Sequence, residues 1–144
     1  TSIAEQKQIK LIQEDGDCTI TGSYLLLYRA VYNLVENAIK YNHPGGKVTV
    51  NIQQKKSLLN AAVSPAPADC AFIEVSDTGI GISPEYQEKI FTPFFRVDKS
   101  RSRAMGGAGL GLALVNEIAR QHGGEVKVLK SDKNGSTIAL ILPL

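Results

Sequence analysis

The sequence has little of what marks a secreted, membrane-spanning or metal-clustered protein. It holds only two cysteines in 144 residues, Cys18 and Cys70. They stand far apart and match no metal or redox spacing, so both are read as reduced thiols of a cytosolic domain. No apolar run approaches the roughly 20 residues of a membrane-spanning helix, and the N-terminus shows no signal-peptide pattern. Net charge is only +2, which gives no reason to expect nucleic acid or a charged surface as partner. No internal repeat is present. What remains is an ordinary globular composition, 43% hydrophobic and 21% charged. A single domain over residues 1–144 is expected, long enough to bury roughly two thirds of its unfolded surface.

Hydrophobic periodicity sets out the elements. Lys7–Glu14 and Cys18–Ile20 read as short strands around an Asp15-Gly16-Asp17 turn. Gly22–Tyr41 predicts a helix, with Leu27, Val31, Leu34, Val35 and Ala38 on one apolar face. It stops at the breakers Asn42-His43-Pro44-Gly45-Gly46. Lys47–Gln54 alternates as a strand through Val48, Val50 and Ile52, and Cys70–Ser76 is another strand. Lys56–Asp69 between them reads as an exposed hairpin loop. Pro84–Ile90 predicts a short helix and Leu110–His122 a long one, ended by Gly123-Gly124. Glu125–Leu129 and Ser136–Leu142 complete the pattern as strands joined by a turn. Strands and helices mix without strict alternation. The expected fold class is α/β, a two-layer α/β sandwich with a mixed sheet of about five strands packed on three helices.

Three clusters carry chemistry. On the first long helix Asn33, Asn37 and Lys40 fall at i, i+4 and i+7 and line one polar stripe beside Tyr41. An amide oxygen is a hard ligand suited to Mg²⁺, and a lysine offsets phosphate charge. A solvated helix face fits the same residues, although asparagine inside a helix costs stability. The second cluster is Asp77-Thr78-Gly79-Ile80-Gly81-Ile82 at a strand's end. Its glycines permit close backbone approach to a flat ligand, and Asp77 can accept a hydrogen bond from an exocyclic amine such as that of adenine. A tight turn with Asp77 as turn former fits equally.

The third cluster, Gly106-Gly107-Ala108-Gly109-Leu110-Gly111-Leu112, runs into a helix, where backbone N–H groups attract anions. It is no Walker A loop, since Leu112 stands where that pattern needs lysine. Nor is it a dinucleotide fingerprint, because the third glycine comes one place early and no strand precedes it. A flexible linker is the competing reading. Arg96–Arg103 before it, with Arg96, Lys99, Arg101 and Arg103, carries +3 by residue count. A basic segment hinged on glycines has the makings of a lid over phosphates; Val97–Ala108 is expected to be mobile.

Together, in this order, these segments resemble the boxes of histidine kinases. Asn33-Leu34-Val35-Glu36-Asn37-Ala38-Ile39-Lys40-Tyr41 resembles the N box, and Asp77-Thr78-Gly79-Ile80-Gly81 the first glycine box. Phe91-Thr92-Pro93-Phe94-Phe95-Arg96 resembles the F box, and Gly107-Ala108-Gly109-Leu110-Gly111-Leu112 the second glycine box. Gly135-Ser136-Thr137 is similar to the element in the last hairpin. The resemblance implies the Bergerat ATP-binding fold, with ATP and Mg²⁺ as cofactors and a protein-histidine kinase activity in two-component signal transduction. It implies Mg²⁺ at Asn37, supported by Asn33 and Lys40, with Asn37 and Lys40 as the catalytic pair. Asp77 would take the adenine amine, with Tyr41, Gly79, Gly81, Ile82 and Thr137 alongside. Gly107, Gly109, Leu110 and Gly111 would cradle phosphate under a lid carrying Arg96 and Arg101, and Phe91, Phe94 and Phe95 would anchor the lid. The implied partners are a helical dimerisation and phosphoacceptor domain and, through it, a response regulator. The implied place is a cytoplasmic domain of a membrane-anchored parent.

Two departures bear on chemistry. Ala108 stands where the family often has Thr or Ser. The phosphoacceptor histidine is expected outside this segment, since His43 and His122 lack its helical context and read as plain surface residues. Gyrase-like ATPases carry a glutamate four residues before the Mg²⁺ asparagine. Asn33 stands there and is no general base, which disfavours hydrolysis. A nucleotide-binding module without catalysis, and a Ser/Thr kinase of the same fold acting on a partner protein, remain as alternatives.

Overall fold

The structure, a computed structural model, describes residues 10–13, 20–59, 66–93 and 111–144. In chain order the elements are β1 (Lys10–Gln13), α1 (Tyr24–Lys40), β2 (Lys47–Ser57), β3 (Ala68–Asp77), α2 (Gly111–Gln121), β4 (Glu125–Asp132) and β5 (Gly135–Pro143). The strands form one five-stranded sheet in the order β1-β2-β3-β5-β4. β1 runs parallel to β2 and every other neighbouring pair is antiparallel. This is the mixed sheet that the patterning predicts.

The two faces of the sheet follow from strand alternation. Ile73 and Val75 of β3 and Ile138, Leu140 and Leu142 of β5 face one side. There they pack against Leu34, Ala38 and Ile39 of α1 and Val115 and Ile118 of α2. The intervening residues Cys70, Phe72, Ala139 and Ile141 form a second, smaller cluster. Both helices therefore lie on one face, and truncating a fully buried Leu34 or Ile118 to Ala should cost about 2–5 kcal/mol.

The third predicted helix differs. Pro84–Ile90 becomes two single 3₁₀ turns, Pro84–Tyr86 and Lys89–Phe91. Each is followed by an i→i+3 bond, Gln87 N–H to the Pro84 carbonyl at 3.4 Å and Thr92 N–H to the Lys89 carbonyl at 2.9 Å. The segment is too short to offset the cost of an α-helical nucleus. Docking of Ile90 and Phe91 on the core sets its path instead. The loop expected over Lys56–Asp69 is also shorter, because β2 and β3 pair on through Lys56↔Asp69 and Ser57↔Ala68. A Lys56–Asp69 ion pair at 3.2 Å spans that rung; residues 60–65 lie outside the described residues. Of the strand expected over Cys18–Ile20, only Ile20 is described, and it lies in no strand.

His122 is not the plain surface residue that the sequence suggests. A carbonyl only accepts, so Nδ1–H donates to Ile118 O at 2.8 Å, and Nε2 accepts the Ser23 N–H at 3.0 Å. This ties the end of α2 to the start of α1, where Ser23 Oγ caps Leu26 N–H. His43 is exposed, as expected. No helix among the described residues is long and apolar enough to cross a membrane.

Candidate functional site

The site is built along α1, which meets the start of α2 at Asn33 and the loop after β3 at its C-terminal end, by Tyr41. Asn33, Asn37 and Lys40 are half-buried along α1. A Cβ placed on Gly111, the first residue of α2, would lie 4.0 Å from Asn33 Oδ1. The polar stripe and the end of the glycine-rich segment, distant in sequence, are thus neighbours. Lys40 Nζ lies 3.2 Å from Glu36 Oε1, one helical turn back. The ammonium is oriented by a carboxylate on its own helix, a pairing that leaves its charge partly offset.

Asp77 ends β3 with both carboxylate oxygens engaged. Gly79 N–H donates to Oδ1 at 2.9 Å, and Ser136 Oγ donates to Oδ2 at 3.0 Å. Burial pushes the Asp77 carboxyl up from its ordinary value, while the bonds from Gly79 and Ser136 pull the other way without cancelling it. Each oxygen keeps a further lone pair. A half-desolvated carboxylate held by two donors is well prepared to accept a third bond from a ligand's amine.

The loop after Asp77 is braced on three sides. Gly79 lies so close to the Tyr41 carbonyl that a Cβ would overlap it, and Ile80 N–H donates to that carbonyl at 3.3 Å. Gly81 adopts φ 75°, the left-handed region, against the Asp132 carbonyl. Ile82 N–H donates to Ser131 Oγ at 2.6 Å, and Gln87 Nε2 donates to the Ile82 carbonyl at 3.0 Å.

One brace was invisible in the sequence. Asn42, read there only as a helix breaker, is 2% exposed. Its Nδ2 donates to Lys47 O at 2.9 Å, and its Oδ1 accepts His43 N–H at 2.9 Å and Thr78 Oγ1–H at 3.3 Å. Thr78 Oγ1 in turn accepts Lys47 N–H at 2.9 Å. This clasp joins the end of α1 to the loop after Asp77. A buried amide must find such partners, but the sequence does not say which.

The register sets Thr137 on the face opposite Asp77. β3 and β5 pair Ser76↔Thr137 and Asp77↔Ser136. Successive residues point to opposite faces, so Ser136 joins Asp77 while Thr137 Oγ1 meets Ser76 Oγ at 2.8 Å on the other face. Ser136 is the hydroxyl that sequence reasoning missed. Tyr41, Gly81 and Ile82 are half-buried around the loop, and Phe91 packs on the core. Phe94, Phe95, Arg96, Arg101, Gly107, Gly109 and Leu110, with the Val97–Ala108 lid, lie outside the described residues.

Residues 22–144 match the family described as histidine kinase-, DNA gyrase B-, and HSP90-like ATPase. The chain belongs to this family. Among curated relatives of this histidine kinase-type ATPase domain, it is 42% identical over 124 residues to the sensor-like histidine kinase SenX3 of Mycobacterium tuberculosis, covering 86% of this chain and 27% of that protein. The chain thus spans about a quarter of the length of that relative. Among solved structures, the mycobacterial sensor histidine kinase MprB superposes with a TM-score of 0.76 at 28% identity, over 99% of this chain and 87% of that one. Full-length ShkA, solved in complex with AMPPNP, gives a TM-score of 0.74 at 26% identity, over 99% of this chain and 27% of that one. The family accounts for the two-layer α/β architecture and for an ATP-binding role of the domain.

Proposed function

We propose that the chain binds Mg·ATP and donates the γ-phosphoryl group to a histidine on a helical dimerisation and phosphoacceptor domain of its parent, from which a response regulator takes it. The observation that carries this reading is that α1 bears the Asn33–Asn37–Lys40 stripe between two contacts, Asn33 with the start of α2 and Tyr41 with the loop after the doubly bonded Asp77. Asp77 accepts the adenine amine, with Ser136 holding its other oxygen and Tyr41, Gly79, Gly81 and Ile82 beside the base. In this reading Gly107, Gly109, Leu110 and Gly111 bind phosphate, and Arg96 and Arg101 offset its charge.

Among the described residues no group of three or more His, Cys, Asp or Glu could cage a metal. One amide oxygen at Asn37 suits an Mg²⁺ that arrives on the triphosphate, since this ion is usually held by few protein oxygens plus phosphate. When bound, the ion neutralises charge on the phosphates. Asn37 and Asn33 orient the phosphate chain, and Lys40 exchanges part of its pairing with Glu36 for a phosphate oxygen. In transfer the γ-phosphorus bond to the ADP oxygen breaks as a bond to the imidazole nitrogen forms; positioning and charge carry most of the catalysis. Asn33 cannot take a proton from water, so hydrolysis should be slow.

The test is to mix the chain with γ-labelled ATP, with and without the parent's histidine-bearing hairpin. Label on the hairpin, and little phosphate release without it, is the expected result. Fast phosphate release from the chain alone overturns it in favour of a hydrolytic ATPase. Asn37→Ala should abolish the Mg²⁺-dependent part of ATP binding by calorimetry with an unchanged melting temperature.

A further inference from the structure

We propose that Ser131 is a positioning residue for the base end of this site, aimed there by a bulge in β4. The inference rests on the nucleotide reading above. β4 pairs with β5 in the order Val126↔Leu140 and Val128↔Ile138, so Val126 and Val128 share the helix-covered face with Ile138 and Leu140. The register then slips: the next pairs are Lys130↔Thr137, Ser131↔Ser136 and Asp132↔Gly135. Leu129 is the extra residue, two positions on β4 facing one on β5.

The consequence is a change of phase. Had the pairing continued without the bulge, Lys130 would stand opposite Ser136 and project on the Asp77 face. The inserted residue turns Lys130 to the other face and brings Ser131 opposite Ser136. Since Ser136 itself faces Asp77, the three strands carry one row: Asp77 on β3, Ser136 on β5 and Ser131 on β4. Two of its links are hydrogen-bonded to function. Ser136 Oγ holds Asp77 Oδ2, and Ser131 Oγ holds Ile82 N–H at 2.6 Å.

Ser131 therefore fixes the far end of the loop whose near end is Asp77. The next residue reinforces it, because Gly81, at φ 75°, lies against the Asp132 carbonyl with no room for a Cβ. With both ends fixed on one rigid row, the loop's opening to a purine is set by the hairpin and not by the ligand. Ser131 touches no part of the base in this arrangement; it acts through Ile82.

The test uses wild-type chain, Ser131→Ala and Ser131→Thr, titrated calorimetrically with Mg·ATP and with the purine riboside triphosphate that lacks the 6-amino group. One lost hydrogen bond predicts roughly fivefold weaker binding of both purine nucleotides in Ser131→Ala, since the loop that Ser131 holds through Ile82 faces the purine and not its amine alone. Ser131→Thr, which restores a hydroxyl, should recover both ATP affinity and protection of the Ile82 amide from hydrogen exchange. Unchanged ATP affinity in Ser131→Ala, or weakening that Ser131→Thr does not reverse, overturns the positioning role. Failure of the wild type to bind ATP would overturn the nucleotide reading, and this one with it.

Discussion

Two adjacent rungs at the end of β3 and β5 make opposite use of the same geometry. On the helix-covered face, Asp77 meets Ser136; on the other, Ser76 meets Thr137. Both are cross-strand polar pairs at similar length, 3.0 and 2.8 Å. The two hydroxyls satisfy each other and involve no charge. The carboxylate, by contrast, is held where burial disfavours its charged form, and its hydrogen bonds from Gly79 and Ser136 do not fully compensate. The difference teaches which rung is shaped by stability and which keeps unspent bonding capacity for a ligand.

The largest expected effect is on the Asp77 rung. Asp77→Asn keeps the size but removes a charged acceptor, and a hydrogen bond to a charged group is worth about 1.5–3 kcal/mol. ATP affinity should fall roughly tenfold or more by calorimetry, with no loss of melting temperature. Equal weakening of guanine nucleotides would show instead that the rung serves the fold. The same variant reads the strain through pH. Because the folded-state value of Asp77 is raised, the folded chain holds this proton at pH values where the unfolded chain, near 3.9, has lost it. The penalty is absent below that value and sets in as pH rises through the folded one. Wild type should therefore lose stability relative to Asp77→Asn as pH rises above the unfolded value and through the raised folded one, measured by paired thermal melts.

Ser136→Ala comes next. It withdraws one donor from the carboxylate, so Asp77 should titrate higher still by carboxyl NMR, and ATP should bind several-fold more weakly. Thr137→Val is expected to do the reverse: about 1 kcal/mol of stability lost by denaturant unfolding, from the orphaned Ser76 hydroxyl, and unchanged ATP affinity. The smallest effect belongs to Ser76→Ala with Thr137→Val, since removing both partners leaves nothing unsatisfied; its stability should lie close to wild type. A drop in ATP binding in either variant would erase the contrast between the rungs.

Much of this was legible in the chain. The apolar face of α1 through Leu34 and Ala38, the alternation of β2, and the stripe of Asn33, Asn37 and Lys40 follow from periods of 3.6 and 2. Asp77 at a strand's end before two glycines was legible as well. The misreadings lay where sequence gives no phase. That Ser136 and not Thr137 shares a face with Asp77 is a one-residue question of register, and a one-residue slip reverses every face. Pro84–Ile90 lacked the length to declare its helix type, and Asn42 and His122 gave no sign of partners 36 and 99 residues away.

The sequence by itself determined the two-layer α/β class, the order of the elements and the kinds of chemistry available, because local periodicity and residue type are properties of neighbours along the chain. Only the tertiary structure decided which of those groups meet. Asn33 reaches Gly111 because α1 and α2 pack side by side on one sheet face. Ser131, Ser136 and Asp77 form one row because β4 carries an extra residue at Leu129. Register and bulge are relations between strands far apart in sequence, fixed by the summed burial of the whole core, so no local pattern could announce them.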